Sequence, residues 1–229
     1  MYVRPNISTK RELRDIIVAD IILTIAIAFT LSGGIEQLGG NGALSKFILL
    51  IPISFVGVSL SFVLHELMHK FVAQKYGAIA GFQSSTNGLM ITLLTGLFGF
   101  LIGIPGATVI YTNKFTKKEN GIVSLAGPLT NFVVFAVFLA ILYTVNPTGY
   151  LLSMVSVVLF ISIILAFFNM LPIYPLDGSK VLAWNPPIYV LTMGVIFVLT
   201  VLFTGISLID ILIIFIIALF FSMFYRNIL

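Results

Sequence analysis

Apolar residues fall in long blocks along this chain, and short polar clusters separate them. The blocks run from about Ile16 to Leu31, Phe47 to Tyr76, Leu89 to Ile110, Ile122 to Tyr143 and Tyr150 to Leu171. A last apolar region divides at Thr204–Gly205 into two and ends near Tyr225. Crossing the hydrocarbon core of a bilayer takes about 20 apolar residues as a helix, and most blocks approach that length. Between them lie "SGGIEQLGGNG", "TNKFTKKENG", "TVNPTG" and a motif-rich loop, "PIYPLDGSKVLAWNPP" (172–187), with the glycines, prolines and polar residues of turns. The pattern predicts an α-helical polytopic membrane protein with about six transmembrane helices. No internal repeat, low-complexity tract or second soluble domain is visible, so residues 1–229 read as a single membrane-embedded domain.

The block from Leu89 to Ile110 does not fit the others, because Gly96, Gly99, Gly103, Pro105 and Gly106 interrupt it. Charge decides its topology. With the N-terminus cytoplasmic, Arg4, Lys10, Arg11, Arg14, Lys70, Lys75, Lys114, Lys117, Lys118, Lys180 and Arg226 all fall on the inner side. Of the 12 Lys and Arg only Lys46 falls outside, as the positive-inside rule favours. A full crossing over 89–110 would strand Lys114, Lys117 and Lys118 outside and invert everything downstream. A re-entrant hairpin is therefore expected, packed on protein because irregular backbone is costly in lipid. Within it "IPGATVIY" (104–111) reads as a short strand after a Pro-Gly turn. The alternative is a further true span with an unusual topology. The prediction is a small membrane-associated hairpin or strand element after the second helix.

Composition agrees with a lipid environment: 59% of residues are hydrophobic and 9% charged. The net charge of +4 then reports topology and gives no reason to expect a nucleic-acid partner; the partner it implies is the lipid bilayer. The chain has no cysteine, which excludes disulfides and thiolate metal sites. No small-residue cleavage site stands out after the first apolar run, which is interrupted by Asp20, so the first span is expected to stay in place.

Near the end of the second block stands "HELMH" (65–69), with both histidines of the chain. On a helix, residues four apart lie about 40° apart around the axis, one turn above the other. His65 and His69 can then grip one metal ion, with Glu66 in reach of a water on it. Zinc is the default ion for such a set, one per chain, and the arrangement is the machinery of a peptide hydrolase. The plainer alternative is a pair of histidines bonding between helices. Ionisable groups inside a span are costly and usually functional, which favours the metal site. A third protein ligand must be an oxygen. Glu12, Asp15 and Glu119 lie in basic segments expected to be solvated, and Glu36 and Asp210 near the outer face. Asp20, early in the first span, competes with Asp177, which is better placed: its span returns to the side of "HELMH", and prolines and a glycine would fix it in a turn.

"HELMH" (65–69), "SLAGPLTN" (124–131) and "NMLPIYPLDG" (169–178), in this order on apolar segments, together resemble the site-2 protease family of intramembrane zinc metalloproteases. The match covers a core of about 47–185 and leaves 16–33 and 188–225 as peripheral helices. The resemblance implies that His65, His69 and Asp177 bind zinc and that Glu66 activates water. It implies that Asn131 faces the site, holding substrate or the oxyanion, and that Asn169 orders the last loop or the substrate. It implies a substrate that is a transmembrane helix of another protein, and in the charge-derived topology of this multi-pass integral membrane protein the motifs fall where the site opens to the cytoplasm. The chain departs from commoner members in lacking a regulatory domain between or after the motifs and in the length of its 89–110 insertion. A metal-binding membrane transporter or a non-catalytic homologue is the competing reading, and the sequence does not speak to oligomeric state.

Overall fold

The computed structural model describes residues 8–226 apart from 41, 113 and 114. Arg4 and Lys114 of the basic set lie outside the described residues. The chain forms α1 (Thr9–Ser32), α2 (Ala43–Val58), a π-helical turn (Ser59–Val63), α3 (Leu64–Lys75), β1 (Ile79–Ser84), α4 (Thr86–Leu97) and β2 (Gly106–Tyr111). There follow α5 (Lys117–Val145), α6 (Gly149–Asn169), α7 (Asp177–Trp184), α8 (Pro186–Thr204) and α9 (Leu208–Arg226). Five of the helices are long and apolar enough to cross a membrane, with α2, the π turn and α3 forming one continuous rod of them over Leu44–Lys75. Their outward faces are apolar: Val190, Leu191 and Leu202 are 66%, 68% and 70% exposed. Such a surface is an association liability in water and what lipid requires.

Two cores hold the bundle. Phe135, Val155, Leu159, Ile163, Phe167 and Ile196 join α5, α6 and α8. Ala19, Leu23, Ile27, Val58, Phe62, Phe82 and Leu89 join α1 to the rod, to β1 and to α4. The π turn immediately precedes the paired histidines. It carries Ser59, whose hydroxyl donates to Asp20 Oδ2 at 2.8 Å, and Ser61, which meets Ser162 Oγ at 2.7 Å. Wide turns of this kind are frequent at functional sites.

The segment between α3 and α5 leaves and returns at one place. β1 and β2 pair antiparallel, Ile79 opposite Tyr111 and Ser84 opposite Gly106, and Ser85 N–H donates to Pro105 O at 3.0 Å. Between the strands α4 climbs along α1. A Cβ on Gly96 would meet Ala26 Cα at 2.7 Å, so only glycine allows this approach. The chain then descends in extended form over 100–105, where no ladder satisfies its backbone. Side chains of α4 do so instead. Ile104 N–H donates to Thr92 Oγ1 at 3.0 Å and Ile102 N–H to Thr95 Oγ1 at 3.1 Å. Thr92 Oγ1 also lies 3.0 Å from Ile102 O and 2.9 Å from Gly88 O. This is how non-helical backbone persists in an apolar setting.

Two expectations need correction. The 172–187 stretch is not all loop, because Asp177–Trp184 forms a helix. Glu12 and Asp15, expected in solvated segments, are buried at 6% and 5% exposure. Each is paired: Glu12 Oε2 with Lys70 Nζ at 2.7 Å and Asp15 Oδ1 with Arg14 at 3.0 Å.

Thr92 is fully buried. Thr92→Val strands the Ile104 N–H and costs about 1–3 kcal/mol, read as a lower unfolding midpoint in detergent; Thr92→Ser remains close to wild type.

Candidate metal centre

The site forms where α3, α5 and the start of α7 meet. α3 presents His65 and His69 one turn apart, at 2% and 7% exposure. α5 crosses them at Gly127. A Cβ there would meet His65 Nε2 at 2.5 Å and His69 Nε2 closer still, so a glycine is required for the two rings to lie against this helix. On the same helix Val123 O accepts His69 Nδ1–H at 2.7 Å, which leaves Nε2 with a free lone pair.

His65 is oriented from the same helix. Asn131, fully buried, places its amide nitrogen 3.1 Å from His65 Nδ1, while its Oδ1 is buried without a partner. Half a turn of the amide brings Oδ1 onto an Nδ1–H, satisfies that oxygen and frees His65 Nε2. Asn131 thus faces the site, as the resemblance implied, and stands against the His65 ring.

Asp177 arrives from the far side of the bundle. After α6 the chain turns through a cis Tyr174–Pro175 bond, and Gly178 packs so tightly on the end of α6 that a Cβ would meet Leu171 O at 2.6 Å. This seats the first residue of α7 at the histidines. Asp177 Oδ2 lies 3.1 Å from His69 Nε2 and 3.5 Å from His65 Nε2, and the two Nε2 atoms are 3.0 Å apart. Ligands about 2.0–2.1 Å from a tetrahedral ion sit about 3.3 Å from one another, so the triangle fits one zinc-sized ion. Asp177 is the one carboxylate among the three donors. Its other oxygen, Oδ1, is 3.7 Å from Lys180 Nζ.

The remaining candidates sort clearly. Glu66 projects from α3 toward β2, where its Oε2 accepts Thr108 N–H at 2.7 Å and Thr108 Oγ1–H at 2.8 Å. Asp20 pairs with Ser59 in the α1–rod contact and is not in the group that converges, which is His65, His69 and Asp177. Asn169 donates to Leu165 O on its own helix at 3.0 Å. Sequence reasoning missed Thr108, Glu12 and Asp15. No motif marks Thr108; the two acids carried one usable signal, a spacing of three that puts both on one face of α1.

Comparison with known proteins gives the same direction. The chain is 45% identical over 144 residues to a candidate zinc metalloprotease of Methanocaldococcus jannaschii, MJ0611, a match covering 62% of this chain and 75% of that one. It is 29% identical over 193 residues to the candidate zinc metalloprotease Rip2 of Mycolicibacterium smegmatis, covering 73% of this chain and 71% of the relative. It is 26% identical over 155 residues to the candidate zinc metalloprotease YwhC of Bacillus subtilis, covering 58% and 68%. No family model and no solved structure matches it. These relatives are named as zinc metalloproteases, and this chain brings three candidate metal ligands together inside an apolar helical bundle. The chain belongs to the site-2 protease family.

Gly127→Ala forces the two imidazoles away from α5 and lowers zinc affinity about tenfold or more, measured by chelator competition. Gly194→Ala, where a Cβ meets nothing within 4 Å, leaves it unchanged.

Proposed function

We propose that this protein is an intramembrane zinc metalloendopeptidase that hydrolyses peptide bonds within or beside transmembrane helices of other membrane proteins. The observation that carries this is the convergence of His65 Nε2, His69 Nε2 and Asp177 Oδ2 beside Glu66 inside an apolar bundle. His65, His69 and Asp177 are the ligands of one zinc ion per chain. That ion supplies Lewis acidity, lowering the pKa of a water and polarising the carbonyl under attack. Glu66 takes the proton of the attacking water and returns it to the departing amine. Asn131 and Val123 O fix the two rings so that their Nε2 lone pairs face the ion.

A helical substrate hides its carbonyls in internal hydrogen bonds. It must unwind before it can be cut, and its freed N–H and C=O groups then need partners in a medium that offers none. The outer edge of β2 supports such pairing, as strand addition to a sheet edge provides. With the N-terminus cytoplasmic, α9 makes the sixth crossing and the site opens to the cytoplasm, the side that collects the basic residues. The whole chain then acts as one membrane-embedded protease domain with the 79–111 segment as a re-entrant element.

In detergent, the zinc-loaded protein is expected to cut transmembrane peptides, and a chelator stops it. Glu66→Gln reduces cleavage by about 10³-fold or more while metal analysis still finds one zinc per chain. Full activity in Glu66→Gln removes the assigned mechanism.

A further inference from the structure

The two-stranded sheet has two outer edges, and their outward N–H groups are engaged by different means. On β1, Phe82 N–H donates to Glu12 Oε1 at 3.1 Å, Ser84 N–H to Asp15 Oδ2 at 3.4 Å, and Ala80 O accepts from Gln74 Nε2 at 3.2 Å. These partners come from α1 and α3, and both carboxylates are buried. That edge is sealed by the fold. On β2 the donor is Thr108 N–H and its acceptor is Glu66 Oε2 at 2.7 Å, reinforced by Thr108 Oγ1, which lies 2.8 Å from Oε2 and 2.9 Å from Glu66 O.

Register gives this contact its meaning. Phe82 stands opposite Thr108, and both N–H groups point away from the partner strand, the mark of a non-hydrogen-bonded antiparallel pair. Thr108 N–H is therefore a donor that a third strand laid beside β2 would use. The group occupying it is the carboxylate assigned above to take a proton from water.

We propose that Thr108 receives the main chain of an unwound substrate, and that Glu66 holds its N–H until a substrate carbonyl replaces it. The exchange is one acceptor for another: Thr108 N–H passes from carboxylate to carbonyl, and the Glu66 carboxylate turns free toward the water. The base is thus released where an extended chain has already been laid beside it, which couples hydrolysis to unwound substrate and spares folded helices. This rests on the peptidase reading of the same site.

The test is amide hydrogen exchange on the zinc-loaded chain in detergent, read as the ratio of exchange at Thr108 to that at Val109. Val109 stands opposite Gly81 in the ladder, so general loosening of the sheet leaves the ratio unchanged. Glu66→Ala is expected to raise the ratio about tenfold. Adding a leucine–alanine transmembrane peptide of about 20 residues with a central glycine pair returns it to the wild-type value. An unchanged ratio in Glu66→Ala, or a raised one that the peptide does not lower, overturns the proposal. Wild-type cleavage of the same peptide, run alongside, separates two failures. No cleavage sinks the peptidase reading and this proposal with it; cleavage with an unchanged ratio sinks this proposal alone. Thr108→Val keeps the N–H but loses the hydroxyl bond. It is expected to raise kcat/KM about two- to fivefold through a lower KM, and a lower kcat at unchanged KM counts against the idea.

Discussion

Lone pairs repel, and three of them aimed at one point inside an apolar bundle need a positive charge between them. His65 Nε2, His69 Nε2 and Asp177 Oδ2 stand 3.0, 3.1 and 3.5 Å from one another. The rest of each side chain is already engaged: His69 Nδ1 with Val123 O, His65 Nδ1 with Asn131, Asp177 Oδ1 with Lys180. The three remaining atoms face one another, a donor set that a shared cation would satisfy. A bound divalent ion converts the repulsion into binding, and in a water-poor setting its field is weakly screened. Most of the surrounding structure can be understood as what holds that triangle together.

Three close approaches build it. Gly127 lets α5 lie on both imidazoles, Gly178 lets α7 begin against the end of α6, and Gly96 lets α4 lie on α1. The first two place the donors. The third positions the sheet that carries Thr108 to Glu66. Glu12 ties these parts together, since one carboxylate joins β1 through Phe82 N–H and the histidine helix through Lys70. Its burial costs desolvation that the ion pair and the backbone bond offset, and the result ties the sheet to the histidine helix.

Much of this was legible in the order of residues. "HELMH" put two donors on one helix face, with a carboxylate projecting beside them, because helical spacing is rigid, and three motifs in order gave the family. The helices α1, α5, α6 and α8 appeared as apolar blocks. The return of the 89–110 segment was expected from a cytoplasmic placing of the lysines, β1 and β2 do pair across it, and β2 begins at Gly106 within the stretch read as a strand. Other features were hidden because they depend on contacts between distant segments. Nothing local marks Thr108 as the partner of a residue 42 positions earlier. Glu12 and Asp15 read as surface charges beside Lys10, Arg11 and Arg14 until β1 is placed against them. The helix Asp177–Trp184 was obscured by the prolines on both sides of it. The contact of Asn131 with a ring nitrogen, at 3.1 Å, is likewise encoded in no motif.

The most direct measurement of the central claim is zinc K-edge X-ray absorption on the purified, zinc-loaded protein. The account predicts one four-coordinate zinc with nitrogen and oxygen neighbours at about 2.0–2.1 Å and outer-shell scattering from two imidazoles, one of which is lost in His65→Ala. A spectrum with oxygen neighbours alone and no imidazole signal would contradict it, since the ion would then lie away from both histidines and from Glu66.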